Sequence, residues 1–164
     1  FDSGFSLAGG VSSTETAIMT KEGTDTYGIE AAYTGDSYGL AVAYVSKDNA
    51  ASAETTYWGV NGFYTFDLAS ISVGVETEET SGVDKSGYFV GLTFPEVGPG
   101  SVSVGLGTQA NYKDSETELL TYEASYSYPI NDGMTITPGV YIKEATTANT
   151  DDDTGVLVKT SFSF

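Results

Sequence analysis

Apolar and polar residues alternate with a period of two over the last eleven residues of the chain, Thr154–Phe164. One face is mostly apolar and comprises Val156, Val158, Thr160, Phe162 and Phe164. The other is mostly polar and comprises Gly155, Leu157, Lys159, Ser161 and Ser163. Such alternation predicts a strand whose two faces meet different surroundings. A strand that faces lipid and ends at an aromatic interfacial belt fits the pattern, so we expect a transmembrane β-strand.

The same alternation recurs along the chain, whereas a helical period never persists for three turns. It predicts about ten strands. Most have the roughly 9–11 residues that a tilted strand needs to cross a bilayer. The predicted strands lie near Gly4–Ser12, Asp25–Thr34, Ser37–Ser46, Thr55–Phe66, Ala69–Glu76, Ser86–Phe94, Ser101–Tyr112, Glu118–Tyr128, Met134–Lys143 and Thr154–Phe164.

Short and long connections alternate between these strands. The short ones lie around Gly35–Asp36, Asp67–Leu68, Pro95–Gly100 and Pro129–Gly133. The long ones cover Ser13–Thr24, Lys47–Glu54, Thr77–Lys85, Lys113–Thr117 and Glu144–Asp153. Short periplasmic turns and longer external loops are typical of outer-membrane barrels. We therefore predict an all-β fold, a transmembrane antiparallel up-and-down β-barrel. Residues 1–164 would form one outer-membrane barrel domain or the C-terminal portion of a larger one.

The composition excludes several classes of function. Six Lys and no Arg stand against 23 acidic residues, for a formal net charge of -17 at pH 7. Nucleic-acid binding needs a positive patch, so we expect no such partner. The absence of Cys and His excludes disulfides, thiol catalysis and the usual zinc sites, and no pattern indicates a cofactor. With 40% hydrophobic residues the chain is not expected to be disordered.

Further expectations concern transmembrane helices, the extent of the chain and an alternative fold. No run of about 18 apolar residues is present, so we expect no transmembrane helix. The chain starts at Phe1 and shows no signal peptide, so we interpret it as a processed chain or part of a longer one. The alternative fold is a soluble acidic β-sandwich, in which the apolar faces are simply core.

Aromatic residues gather near the predicted strand ends, which indicates two interfacial girdles. One girdle would contain Tyr33, Tyr38, Tyr64, Phe66, Phe94, Tyr128 and Phe164. The other would contain Tyr27, Tyr44, Trp58, Tyr88 and Tyr112. The opposite strand faces carry mainly Gly, Ala, Ser and Thr. These have little volume with which to fill a barrel interior. Either about ten strands enclose a narrow water-filled lumen, or these strands form part of a larger barrel wall, and we favour the second.

Charged and amide side chains on the inward faces are the candidate pore-lining residues. They are Glu30, Asn61, Glu76, Gln109, Glu123, Lys143 and Lys159. Pores that prefer anions use rings of Arg or Lys, and Arg is absent here, so we predict a weak cation preference. Alternatively, Lys159 forms a structural ion pair with one of the inward glutamates.

The predicted external loops hold most of the acidic residues, which would raise the cation concentration at a pore mouth. Asp151, Asp152 and Asp153 are weak candidates for a hard cation such as Ca²⁺, because carboxylate oxygens are its ligands. They lack the spaced pattern of a calcium loop, so a solvated loop tip is the simpler interpretation. Abundant acids do not make a glycosidase pair, and without His the serines lack their usual base. We therefore expect no enzyme.

The final part of the chain has Ile136–Val140 (ITPGV), the Asp151–Asp153 run and the ending VLVKTSFSF. Upstream lie Tyr57–Tyr64, followed by ASISVG, and Gly87–Leu92 (GYFVGL). Together and in this order, these segments resemble cyanobacterial outer-membrane porins of the surface-layer-homology-domain family. The resemblance implies the C-terminal part of a barrel that passes small inorganic ions. The family's surface-layer-homology domain and coiled coil have no counterpart in these residues, and nothing in them indicates the family's link with iron uptake.

These observations predict an outer-membrane porin of a Gram-negative-type bacterium, a water-filled channel for passive diffusion of small solutes and inorganic ions. The alternative is a closed structural or adhesive barrel whose acidic loops bind a partner. Membrane lipid and the outer-membrane assembly machinery are the expected partners. A homotrimer is expected by analogy with general porins.

Overall fold

The computed structural model describes residues 4–13, 25–49, 52–108, 119–145 and 150–163. This part of the chain contains ten strands. They are β1 (Phe5–Ser13), β2 (Asp25–Thr34), β3 (Tyr38–Asn49), β4 (Ser52–Thr65), β5 (Ser70–Thr80), β6 (Val83–Val97), β7 (Gly100–Thr108), β8 (Leu120–Asn131), β9 (Met134–Lys143) and β10 (Asp153–Phe162).

The strands form one sheet in which each strand is the neighbour of the next strand in the sequence, from β1 to β10. Pairing is antiparallel, for example between β1 and β2 and between β9 and β10. This confirms the predicted all-β, antiparallel, up-and-down arrangement. Among the described residues, no helix has the length and hydropathy to span a membrane.

The sheet divides into two compact units. The first comprises Phe1–Phe63 and Gly74–Gly87, and the second comprises Tyr64–Val73 and Tyr88–Phe164. In each unit the strand register decides which side chains share a face, because directly opposed residues in an antiparallel pair point the same way.

In the first unit, the register between β2 and β3 sorts the side chains by polarity. Ile29 pairs with Tyr44 and Tyr33 with Leu40, which makes one face apolar. The adjacent residue Glu30 pairs with Ala43 and therefore lies on the other face. We call these the apolar face and the polar face.

The second unit shows the same separation over more strands. Leu92, Val104, Ala124, Val140 and Val156 follow one another across β6 to β10 on the apolar face. The next row of paired residues, one position along each strand, lies on the polar face. It comprises Thr93, Ser103, Ser125, Gly139 and Leu157. The predicted alternation is therefore realised in space.

The described residues contain almost no hydrophobic core. Ala69 is the buried hydrophobic residue among them, whereas Leu40, Val156 and Phe162 are 52%, 78% and 63% exposed. A soluble sandwich would cover the apolar face with a second sheet, but the described strands form a single sheet. Soluble proteins rarely expose apolar surface of this extent, so the sheet matches a lipid environment rather than the sandwich alternative.

Aromatic rings meet at the strand ends next to the short turns, as the girdle prediction requires. In the first unit the ring centroids of Phe5 and Tyr33 lie 5.3 Å apart, and those of Tyr33 and Tyr38 lie 5.4 Å apart. In the second unit Tyr64 and Phe66 are 4.8 Å apart. Phe164 and Tyr112, two other predicted girdle residues, lie outside the described residues.

The prediction of long loops at Lys47–Glu54 and Thr77–Lys85 is wrong. Strand β3 continues to Asn49 and β4 begins at Ser52, while β5 and β6 are joined by a two-residue turn. Ser81 and Gly82 in this turn have φ angles of 55° and 75°. Positive φ at both central residues is the geometry that suits the twist of a tight hairpin.

Polar cross-strand contacts explain why β5 and β6 continue beyond the predicted strand ends. The Thr77 and Ser86 hydroxyls are 2.9 Å apart, and Lys85 Nζ lies 3.9 Å from Glu78 Oε1. Polar residues can thus continue a ladder where both faces meet water. The predicted loop residues 14–24 and Lys113–Thr117 lie outside the described residues.

Gly82 provides a test of the tight turn. Replacing Gly82 by Ala should lower the free energy of unfolding by about 1 kcal/mol, because a side chain disfavours positive φ. The ideal Cβ position at Gly82 has no atom within 4 Å, so the expected cost arises from the backbone alone. Urea unfolding in detergent, followed by Trp58 fluorescence, measures the change.

Gly10 is the matched control, because its ideal Cβ position is equally open and its φ is not positive. Gly10→Ala should leave the urea midpoint unchanged or raise it slightly. Equal losses at both positions would contradict the assigned turn.

Candidate channel-lining face

In the first unit, the predicted residues Glu30, Asn61 and Glu76 all lie exposed on the polar face. Glu30 is opposed by Ala8 on β1 and Ala43 on β3. The ideal Cβ positions of two glycines adjoin the others, at 3.7 Å from Asn61 Cβ for Gly74 and 4.0 Å from Glu76 Cβ for Gly59. Each polar group therefore stands among small neighbours and is open to water.

Sequence reasoning missed two lysines on this part of the polar face. Lys47 pairs with Thr26 within β3 and β2, beside the Gly28–Val45 pair. Lys85 forms an ion pair with Glu78, with side chains 37% and 38% exposed. An exposed pair of this kind contributes only about 0–1 kcal/mol. Lys47 was predicted in a loop because the end of β3 was placed too early, and Lys85 because the start of β6 was placed too late.

In the second unit, Glu123, Lys143 and Lys159 lie exposed on the polar face. Glu123 is opposed by Gly105 on β7 and by Tyr141 on β9. Thus three of the predicted residues are carried by the polar face of this unit. Gln109, the remaining candidate, lies outside the described residues.

The alternative that Lys159 forms an ion pair is not realised within the described part of the chain. There, the ion pair between side chains is that of Lys85 with Glu78. Lys159 is opposed by Thr137 in the register of β10 and β9. Lys143 instead places its Nζ 5.2 Å from the ring centroid of Tyr141, a cation–π arrangement.

Aromatic side chains also lie on the polar face, and this was missed. Phe63 lies against Gly39 in the first unit, and Tyr141 lies against Gly155 in the second. Phe89 covers several glycines of the second unit, Gly91, Gly105 and Gly107. An aromatic ring that covers a glycine on a neighbouring strand protects exposed backbone and holds the register. The expectation of a lining without bulk is therefore wrong at these positions.

The polar face of the second unit encloses an open hollow of about 350 Å³. Its lining includes Phe89, Glu123, Tyr141, Leu157 and Lys159. Hydroxyl groups also face it, and those of Thr93 and Ser103 lie 3.0 Å apart. The surface offers charge, hydroxyl groups and aromatic rings to a solute.

The acidic residues near the start of β10 have structural contacts. Asp152 Oδ1 accepts a hydrogen bond of 3.0 Å from the Ala145 amide, and Asp153 is opposed by Lys143. Among the described residues, no group of three acidic side chains is arranged to hold a metal ion. The weak candidates Asp151, Asp152 and Asp153 thus gain no support as a cation site.

Glu144 joins the end of β9 to the start of β8. Its Oε2 accepts a hydrogen bond of 2.8 Å from the Leu120 amide, and its Oε1 accepts one of 3.2 Å from the Tyr122 hydroxyl. Its own amide donates to the Leu120 carbonyl at 2.9 Å. This acid, predicted as part of the external rim, therefore anchors two strand ends.

Comparison with known proteins gives a family and a fold. The sequence matches the family described as Gram-negative porin over residues 3–157. A solved structure of porin, refined at 1.8 Å resolution, is similar with a TM-score of 0.69 at 17% identity. That match covers 98% of this chain and 58% of the porin chain, so the chain spans somewhat more than half the length of that porin. No curated protein sequence matches.

The packing of Phe89 on Gly105 can be tested by a double-mutant cycle. The ideal Cβ of Gly105 lies 3.0 Å from Phe89 Cε2, so Gly105→Val should cost about 1–3 kcal/mol of stability through overpacking. In a Phe89→Ala background the same substitution should cost at least 1 kcal/mol less. Urea midpoints of the four proteins give the coupling, and strict additivity would contradict this contact.

Proposed function

The chain belongs to the Gram-negative porin family and is an outer-membrane protein, and from that premise we propose that it forms the wall of a water-filled channel. The channel passes small solutes and inorganic ions by passive diffusion. The alternative of a closed structural or adhesive barrel, whose acidic loops bind a partner, has no specific contact in its favour.

One observation carries the proposal: a single sheet exposes an apolar face on one side and a charged, hydroxyl-rich face on the other. Leu40 and Val42 are 52% and 46% exposed on the apolar side. Successive residues of a strand point to opposite faces, so Glu30, which follows Ile29 in β2, lies on the polar side. Lipid stabilises the first kind of surface and water the second, and a channel wall separates these two environments.

We propose a weak cation preference from the net charge of the whole chain and not from the charges on the polar face of the strands alone. Lys47 and Lys85 join Lys143 and Lys159 on the polar face, so the strand acids Glu30, Glu76, Glu78, Glu123 and Asp153 are nearly balanced. The rest of the formal net charge of -17 lies on strand ends, turns and loops. We therefore assign the preference chiefly to the rims, where acids concentrate cations over about 10 Å at 0.1 M salt.

The complete pore is proposed for the protein that contains these ten strands, because the chain spans 58% of the matched porin. These strands would form the C-terminal part of its wall. We further propose that lipid covers the apolar faces, that the outer-membrane assembly machinery inserts the barrel, and that three copies associate. No catalytic activity is proposed.

Conductance across planar lipid bilayers tests the channel. The purified protein should give stepwise currents, and a KCl gradient should give a reversal potential that favours K⁺ over Cl⁻ by about threefold. A rim potential of about half a kT implies this ratio. The preference should fall as the salt concentration rises, because ions screen the rim acids. Absence of steps above the detergent control would support the closed barrel instead.

Charge-neutralising variants separate the strand wall from the rims. Lys143→Gln with Lys159→Gln should raise the K⁺ preference, and Glu30→Gln with Glu123→Gln should lower it, each by up to about twofold. Single charges on a wide wall act through water and are partly screened. Reversal potentials of both double variants in the same gradient measure the effect. An unchanged reversal potential in both double variants would show that these side chains do not line the conducting path.

A further inference from the structure

A carboxylate stands between two aromatic rings on the polar face of the second unit. Glu123 on β8 is directly opposed by Gly105 on one side and by Tyr141 on the other. Opposed residues in an antiparallel pair have Cα atoms about 4.5–5.5 Å apart. The ring that covers Gly105 is that of Phe89. Glu123 therefore lies beside both Phe89 and Tyr141.

The Phe89 ring lies along the wall instead of standing away from it. Its Cζ is 2.8 Å from the ideal Cβ position of Gly91, its Cε2 is 3.0 Å from that of Gly105, and its Cδ2 is 3.4 Å from that of Gly107. Its Cε1 is also 3.0 Å from the ideal Cβ position of Gly91, so the two edges of the ring contact glycines on different strands, which indicates that the ring lies along the sheet. Its outer side is open, and the residue is 47% exposed. One aromatic face is thus offered to whatever fills the hollow.

The neighbouring ring already holds an ammonium group. Lys143 Nζ lies 5.2 Å from the Tyr141 centroid, within the range of cation–π attraction. Rings on this surface therefore accept a positively charged nitrogen on their faces. Within the described part of the chain, the Phe89 face has no such internal cation, while the exposed Glu123 carboxylate beside it makes no hydrogen bond or ion pair.

Among the described residues, Lys159 is the cation that lines the hollow, and it is distant from Glu123. Lys159 is opposed by Thr137, four residues along β9 from Tyr141. Strand spacing and rise then place the Cα atoms of Glu123 and Lys159 about 16 Å apart. This exceeds the screening length of about 8 Å at physiological salt. Lys143, opposed by Thr121, is nearer to Glu123, but its ammonium lies on the Tyr141 ring, on the opposite side of Glu123 from Phe89. The Phe89 side of Glu123 is therefore aromatic and has no cation within the described part of the chain.

We propose that Phe89 and Glu123 form a binding subsite for organic ammonium ions whose nitrogen carries or adjoins hydrocarbon groups. The carboxylate attracts the charge, while the exposed ring contacts the hydrocarbon and the cation together. A hydrated inorganic cation gains little from a ring, so the pair selects organic cations over K⁺ or Na⁺. This subsite rests on the proposed function, because a water-filled channel is what brings solutes to the polar face.

A matched pair of probes tests the subsite on the full-length protein in detergent at low salt. Choline is a trimethylammonium ion, and 3,3-dimethyl-1-butanol is its neutral counterpart of the same shape. Saturation-transfer NMR titrations should show choline bound at least about tenfold more tightly than the neutral alcohol. Glu123→Gln should weaken choline binding about tenfold. Phe89→Leu, which retains apolar volume without the ring, should weaken it about three- to tenfold.

Glu30→Gln is the control variant. It removes the same charge from the polar face, but Glu30 is opposed by Ala8 and Ala43 and has no ring beside it in the register. Choline binding should be unchanged in this variant. Equal weakening by Glu30→Gln and Glu123→Gln would overturn the subsite in favour of general charge attraction. Equal binding of choline and 3,3-dimethyl-1-butanol would also overturn the subsite. So would tighter binding of a neutral sugar, glucose, than of choline.

Conductance recorded on the same preparations keeps the two proposals distinguishable. Channel steps without preferential choline binding would refute the subsite and leave the channel function intact. Choline binding that depends on Glu123, in a protein without channel steps, would support the subsite and refute the channel. If both hold, millimolar choline should reduce the K⁺ current, and Glu123→Gln should relieve that reduction.

Discussion

Backbone pairing between neighbouring strands is the interaction on which the rest of this structure depends. An apolar environment offers no water to unpaired amide and carbonyl groups, so every strand must find partners in the sheet. Turn hydrogen bonds such as Gly35 N to Tyr38 O at 2.8 Å and Phe66 N to Ala69 O at 2.7 Å fix the register of adjacent strands. A slip by one residue would exchange the apolar and polar faces. Register therefore decides both membrane contact and solute contact.

The strands that the sequence predicted best are those with strong alternation and clear turn residues. The predicted bounds of β2, Asp25–Thr34, and of β9, Met134–Lys143, agree with the structure. Alternation is strong there because one face of each strand is apolar and the other is polar. Around Thr77–Lys85 the residues on both faces are polar, so apolar and polar residues do not alternate there. The hydropathy pattern therefore does not reveal that β5 and β6 continue to pair through these residues.

The sheet face on which each candidate pore-lining residue lies could be predicted from the sequence, but the residues beside it on the neighbouring strands could not. Parity along each strand correctly placed Glu30 and Glu123 on the polar face. Which residue opposes which depends on turn geometry, and a Pro129–Asn131 irregularity between β8 and β9 shifts the count. The strand register decides which glycines the Phe89 and Tyr141 rings cover. In the sequence, the sole indication of these contacts is that isolated aromatic residues and glycines occur on the same strand faces.

The Phe89 ring also limits the order in which this wall can change during evolution. Gly91, Gly105 and Gly107 lie beneath one side chain, on two strands. A larger residue at Gly91 or Gly105 meets the ring, so these two glycines become free to vary only after position 89 has become smaller. A larger residue at Gly107 also meets the Tyr88 carbonyl oxygen at 2.9 Å, so it stays constrained without the ring. Loss of the ring, conversely, exposes several stretches of backbone at once. Descendants of this chain are thus expected to keep Phe89, Gly91 and Gly105 as a set or to change position 89 first.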